Sequence, residues 1–220
     1  MTEALRHTIT WLRHLRSMGL YYSPDTANIG AILTDLDILR REVEDCRACP
    51  LWQTRTRVVF GEGPGDAALL IVGEAPGKNE DQEGRPFCGR SGELLTRMLN
   101  AIEIRRQDAF ITSVVKCRPP RNRTPLVGEI KACLPYLKAQ IRAIRPRAIL
   151  ALGEVAARVL TGKKAPLKGL REKVHKGWGA DIVVTYHPAY VLRFSGSRHE
   201  RAIKKEVWED LKRLKELLST

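Results

Sequence analysis

The sequence predicts an α/β fold: a three-layer α/β/α sandwich around a central four-stranded parallel sheet. A single domain is expected, with an N-terminal helical extension over residues 1–45 and the core over 46–220. Three observations predict this. Four short apolar runs, 68–72 (ALLIV), 109–115 (AFITSVV), 148–152 (AILAL) and 181–185 (DIVVT), have the length and continuity of strands buried on both faces. Segments with apolar residues at helical spacing separate and follow them. Each run stops at a polar loop rich in glycine or proline. Strands alternating with helices make a parallel sheet covered on both sides, and the carboxyl ends of its strands share the edge where ligands bind.

The elements follow in order. Leu5, Ile9, Leu12 and Leu15 give residues 1–20 a helical stripe, and 19–28 (GLYYSPDTAN) is a turn-rich link. Helical spacing resumes over 29–45 through Ile32, Leu33, Leu36, Leu39 and Val43, and ends at Cys46-Arg47-Ala48-Cys49-Pro50. A short strand is expected at 57–60. The first strand then runs into Gly73-Glu74-Ala75-Pro76-Gly77, where the glycines permit a tight turn and close approach to a ligand. A carboxylate-rich loop with Glu80, Asp81 and Glu83 precedes Pro86-Phe87, and a helix opens at 92–95. On pattern alone, this stretch reads equally as an ordinary strand-to-helix connection; it has neither a dinucleotide fingerprint nor a Walker lysine.

The second strand closes at 116–120 (KCRPP), followed by a loop with Arg121 and Arg123 and a helix carrying Cys133. The third ends at Gly153, before another helix. Residues 161–177 read as a basic loop. The fourth strand ends in 186–193 (YHPAYVLR), and an amphipathic helix covers about 198–218, with Ile203, Val207, Leu211 and Leu214 as its buried stripe. The polar loops thus converge on one edge of the sheet.

A formal net charge of +13 over 220 residues suits a polyanionic partner, nucleic acid or a membrane surface. No apolar run approaches the roughly 20 residues of a membrane span, and residues 1–20 contain no uninterrupted apolar core of a secretory signal. Five cysteines without an export signal point to metal or redox chemistry. Cys46 and Cys49 form a chelating pair, and Cys117 and Cys133 are more widely spaced. Four thiolates suit either zinc or an iron–sulfur cluster. Cys88 is left over as a free, packed thiol.

Several stretches together resemble one known family, the family 4 uracil-DNA glycosylases. They are GEAPG at 73–77, ED at 80–81, GRPF at 84–87, KCRPPRNR at 116–123, HPAYVLR at 187–193 and the four spaced cysteines. The resemblance runs from about Cys46 to Leu218. It implies a [4Fe-4S] cluster held by Cys46, Cys49, Cys117 and Cys133. It also implies a monofunctional enzyme that flips uracil out of single- or double-stranded DNA and hydrolyses its glycosidic bond in base excision repair. A monomer is expected, working in the cytoplasm and associated with the nucleoid of a prokaryote.

By the same resemblance, Phe87 stacks on the uracil ring, and Gly73, Ala75 and Ser113 line the base pocket. His187 donates to the uracil oxygen that gains charge as the bond breaks. Glu74 or Glu80 positions the water. Asp81 and Glu83 read as a solvated loop. Family members commonly carry Asn at the position of Ser113, and the shorter hydroxyl leaves room for a water or for a wider range of deaminated bases. Arg118, Arg121 and Arg123 are expected to contact phosphate, as are Lys163, Lys164 and Lys168. Val191, Leu192 and Arg193 are expected to form the wedge that enters the vacated base stack. A non-catalytic iron–sulfur DNA-binding module is the competing reading; residues 116–130 contain no histidine of the kind that traps the sugar in a related branch.

Overall fold

A computed structural model describes residues 35–219. The expected helix over 1–20, the link after it and the start of the next helix lie outside the described residues. Among the described residues, eight α-helices and five strands position the site. Helix α1 (Asp35–Glu44) leads through the Cys46-to-Cys49 turn and a 3-10 turn at Pro50–Gln53 to strand β1 (Leu69–Gly73). Helices α2 (Lys78–Glu83) and α3 (Arg90–Asn100) precede β2 (Ala109–Ser113), and α4 (Val127–Ile144) precedes β3 (Ala148–Leu152). Helices α5 (Gly153–Thr161) and α6 (Leu167–Arg171) come before a hairpin of β4 (His175–Gly177) and β5 (Ala180–Thr185). A short α7 (Pro188–Arg193) and a long α8 (Glu200–Ser219) complete the chain.

The sheet has the order β2-β1-β3-β5-β4. Its first four strands are parallel, as the sequence predicts. The fifth is a correction: β4 pairs antiparallel with β5 at the edge, inside the stretch read as a loop. Three residues, two of them polar, carry too little periodicity to be seen as a strand; the Trp178-Gly179 turn, with both residues at positive φ, folds it back onto β5. The strand expected at 57–60 does not form. That segment instead runs beside the extension of β2, with Val59 N–H donating to the Lys116 carbonyl and a single bridge from Glu62 to Ile111.

Strand alternation sorts the core into two layers. Leu70, Val72, Phe110, Ile149, Ala151, Ile182 and Val184 face α1, α4 and α5, where Val43, Leu137, Ile141 and Leu160 meet them. Leu69, Ile71, Ile111, Leu150, Leu152 and Val183 face α3 and α8, against Leu95, Leu99, Val207, Leu211 and Leu214. Helices therefore cover both faces. The chain leaves β1 for β2 on one side and later returns to β3 on the other. The crevice between β1 and β3 is thus the switch point at which such sheets hold ligands.

Candidate active site

A pocket of about 600 Å³ opens over the carboxyl ends of the parallel strands. Its walls come from five separate loops, through Glu74 to Gly77 after β1, Phe87 before α3, Ser113 at the end of β2, Asn122 to Thr124 before α4, and Tyr186 and His187 after β5. The distant loops converge on one edge, as expected.

Phe87 and His187 face each other there, with ring centroids 5.6 Å apart and planes 28° from parallel. Phe87 is held by tight local geometry. Its φ is +50°, a left-handed value that a bulky residue seldom adopts. A Cβ at Gly73 would lie 2.7 Å from its ring, and one at Gly92 would lie 1.6 Å from its carbonyl oxygen. Only glycine fits at either place. Behind the loop, Arg106 donates to the Pro86 carbonyl at 2.7 Å and to Glu62 at 3.0 Å.

His187 caps α7. The Ala189 N–H donates to its Nδ1 at 3.1 Å, which leaves the ring proton of the neutral form on Nε2. Burial pushes the imidazole down to about 4, against the pull of the Glu80 carboxylate and with a smaller push from Arg193. It is therefore a neutral donor at physiological pH. Glu74 is half-buried at the end of β1; burial raises its carboxyl above the ordinary glutamate range, the Thr124 hydroxyl opposes this, and Glu154 adds to it.

Glu80 has a different environment. One oxygen accepts from Gly77 N–H at 3.0 Å, and the other from Cys88 N–H at 3.1 Å and Gly89 N–H at 3.3 Å. Its carboxylate ties the two loops of the pocket floor together. Asp81, expected in a solvated loop, is 1% exposed and accepts from the Thr56 N–H at 2.9 Å. The loop itself is helix α2, with Glu80 in its first turn. Glu83 is exposed as expected.

Two other expectations are corrected. Val191 is buried in the core layer beneath α7, so it cannot enter a base stack, whereas Leu192 is half-buried and Arg193 is exposed at the pocket wall. Arg123 is not a free phosphate contact: both its terminal nitrogens lie on the Glu129 carboxylate, at 2.9 and 2.6 Å. Arg118 donates to Asn122 at 2.7 Å, and Arg121 is exposed at φ +56°. Lys163 is exposed, with its Nζ 3.2 Å from His175 Nδ1. Sequence reasoning missed Thr124, Asn122, Tyr186 and Glu154 in the pocket. Glu154 could have been found, since it follows the third strand at the ligand edge.

On the α1 and α4 side, Cys46, Cys49, Cys117 and Cys133 line one small cavity together with Trp52, Arg55 and Tyr136. Arg55 donates to Cys117 Sγ at 3.2 Å, and the Lys116 N–H donates to Cys133 Sγ at 3.3 Å. Burial pushes the Cys133 thiol up to about 11. As placed, no three His, Cys, Asp or Glu side chains among the described residues are gathered closely enough to hold a metal ion. Cys88 stands apart beside Glu80, and burial with that carboxylate pushes its thiol up to about 12.

The family model described as "Uracil DNA glycosylase superfamily" matches residues 60–212, from the strand-like segment before β1 into α8. A type-4 uracil-DNA glycosylase of Pyrobaculum aerophilum is 47% identical over 76% of this chain and 89% of its own length. The type-4 enzyme of Thermotoga maritima is 42% identical over 83% of this chain and 94% of its own. The type-5 enzyme of Pyrobaculum aerophilum is 32% identical over 68% of this chain and 74% of its own. Within one organism, then, the type-4 sequence is the nearer match by a wide margin. The pocket at the switch point and the similarity across both core layers agree, and the chain belongs to the uracil DNA glycosylase superfamily, among its type-4 members.

Proposed function

We propose that this chain is a monofunctional uracil-DNA glycosylase that everts uracil from DNA, hydrolyses its glycosidic bond and leaves an abasic site for base excision repair. The observation that carries this reading is the neutral His187 facing Phe87 across the mouth of a pocket that also holds Glu74.

A flipped uracil laid against Phe87 would have its edge at the end of β2, where Ser113 contributes a hydroxyl. As the bond to the sugar lengthens, negative charge collects on the base oxygens. The Nε2–H of His187 then donates to the charged oxygen. A neutral donor suits this step, because it carries no charge that would be matched equally well by the ground state. One such preorganised donor is worth roughly 3–4 kcal/mol. Glu74 holds the water against the sugar carbon and balances the cationic character of the ring. Glu80 supports the pocket floor, since its oxygens already accept three backbone N–H groups.

The four cysteines fit a [4Fe-4S] cluster by their chemistry. They are four thiols from three separated segments around one cavity, with Arg55 and the Lys116 amide supplying donors to sulfur. When bound, the cluster supplies a covalent staple between α4, the end of β2 and the Cys46-to-Cys49 turn. Exposed Arg121 contributes to phosphate binding. The pocket is complete within one chain, in keeping with a monomer, and chromosomal DNA in the nucleoid is the expected place of work. Among the described residues, no helix is long and apolar enough to cross a membrane.

The test is release of free uracil from an oligonucleotide with one deoxyuridine by the cluster-loaded protein. The expected product is an alkali-labile abasic strand that stays intact until heated. Tight binding of that oligonucleotide without any uracil release would instead support the non-catalytic DNA-binding module.

A further inference from the structure

Among the described residues, the two most exposed large apolar side chains are Leu126 at 59% and Val127 at 68%. They stand side by side immediately after Thr124 and Pro125, and Thr124 lines the pocket. Solvent-facing aliphatic residues are common singly, but this pair is mounted on a braced corner. Glu129, itself nearly fully buried, accepts from the Leu126 N–H at 2.7 Å and holds the Arg123 guanidinium through both oxygens. Pro125, just before the pair, is buried. The corner cannot fold inward to hide its apolar tip without breaking these bonds. It therefore presents that tip two residues along from pocket-lining Thr124, on the same loop as exposed Arg121.

This arrangement matches one partner. Exposed Arg121 draws the phosphate backbone, and a braced apolar point on the same loop suits the faces of bases rather than phosphate. Of the three α7 residues expected to do this work, Val191 is in the core, Leu192 is half-buried and Arg193 is charged, so none offers an exposed apolar tip. We propose that Leu126, backed by Val127, is the wedge that enters the base stack of double-stranded DNA beside the everted nucleotide. The assignment rests on the glycosylase reading above. In a duplex, eversion leaves a gap and an unpaired partner base, and an inserted side chain keeps the gap from closing. A single strand has no such gap to hold open. The wedge thus acts on the duplex selectively.

The experiment compares single-turnover uracil release from a duplex and from the identical single strand, for the whole cluster-loaded protein and for Leu126→Ser. The expected result is a fall of about tenfold or more in the ratio of duplex to single-strand rates. The emission of a 2-aminopurine placed next to the uracil, which reports unstacking on binding, should fall with it. Leu126→Phe should restore the ratio. An unchanged ratio overturns the proposal. So does an equal fall on both substrates with a lowered Tm, which would make Leu126 a structural residue. An unchanged ratio together with new protease sensitivity in residues 1–34 would overturn it in favour of a cover made by this chain's own N-terminal segment. Uracil release by the unaltered protein from the single strand tests the glycosylase reading separately. If that release is absent from both substrates, the glycosylase reading fails, and the wedge with it.

Discussion

Ser113 lines the large pocket, and Cys117, a few residues further along the same extension of β2, lines the cysteine cavity. The two hollows are built by opposite means. The pocket is open, polar and walled by loops in costly conformations: Phe87, Arg121 and Asn122 all have positive φ. The cysteine cavity is small and walled by α1, α4, the Cys46-to-Cys49 turn and the end of β2, with four thiols, two of them buried, in place of pocket polarity. Between them runs Lys116, fully buried, whose Nζ donates to Thr112 and the Ser113 carbonyl while its N–H donates to Cys133. The lesson of the contrast is a division of labour. Backbone strain gathers at the open pocket, and the four thiols gather at the small cavity beside the strand on which that pocket depends.

Four measurements can break or sharpen that contrast. The largest effect is expected at the pocket: His187→Ala should lower single-turnover uracil release by roughly 10²–10³-fold, the worth of one preorganised donor, with Tm little changed. A small loss would remove His187 from the chemistry. Next comes Glu74, which must be charged to hold water. Its carboxyl is raised by burial, so release should decline as pH falls through a value above the ordinary glutamate range. His187 is neutral until about pH 4 and adds nothing to that limb. Glu74→Gln should therefore be slow, by about tenfold or more, and flat across the same pH range. Persistence of the limb in this variant would assign it to another group.

At the cysteine cavity the expected signature is different. Cys133→Ser should lower the iron content and visible absorbance and lower Tm by about 6–12 °C, the shift that follows from a loss of roughly 3 kcal/mol in a domain of this size. Uracil affinity of the surviving folded fraction should change less than stability does. If Tm holds while iron is lost, the staple role fails. The smallest effect belongs to Ser113. Removing one neutral hydrogen bond costs about 1 kcal/mol, so Ser113→Ala should slow uracil release only about fivefold. A panel of oligonucleotides with single deaminated bases would then show whether that hydroxyl sets the choice of base.

Much of this was readable beforehand, for reasons that can be named. Strands buried on both faces leave continuous apolar runs, so β1, β2, β3 and β5 could be placed within a few residues. Strand β4 could not, because a three-residue edge strand with polar side chains has no period to detect. Phe87 and His187 sit at loop positions fixed by glycine and proline, and their meeting follows once four parallel strand ends share an edge. The helix over Lys78–Glu83 was hidden, since six polar residues read as a loop until the Glu80 carboxylate is seen to tie its first turn to the Cys88 loop.

The sequence by itself determined the layer order, the edge on which the loops converge and the four thiols, because apolar period, strand-end loops and cysteine spacing are local properties of the chain. Only the tertiary structure decided which of the candidates are available to act. Val191 is spent on the core, Arg123 on Glu129, and Glu80 on three backbone amides, while Leu126 is left in the open. The physical reason is that availability depends on partners. A carboxylate or guanidinium is committed by groups brought to it through folding, and those distances are written in no local pattern.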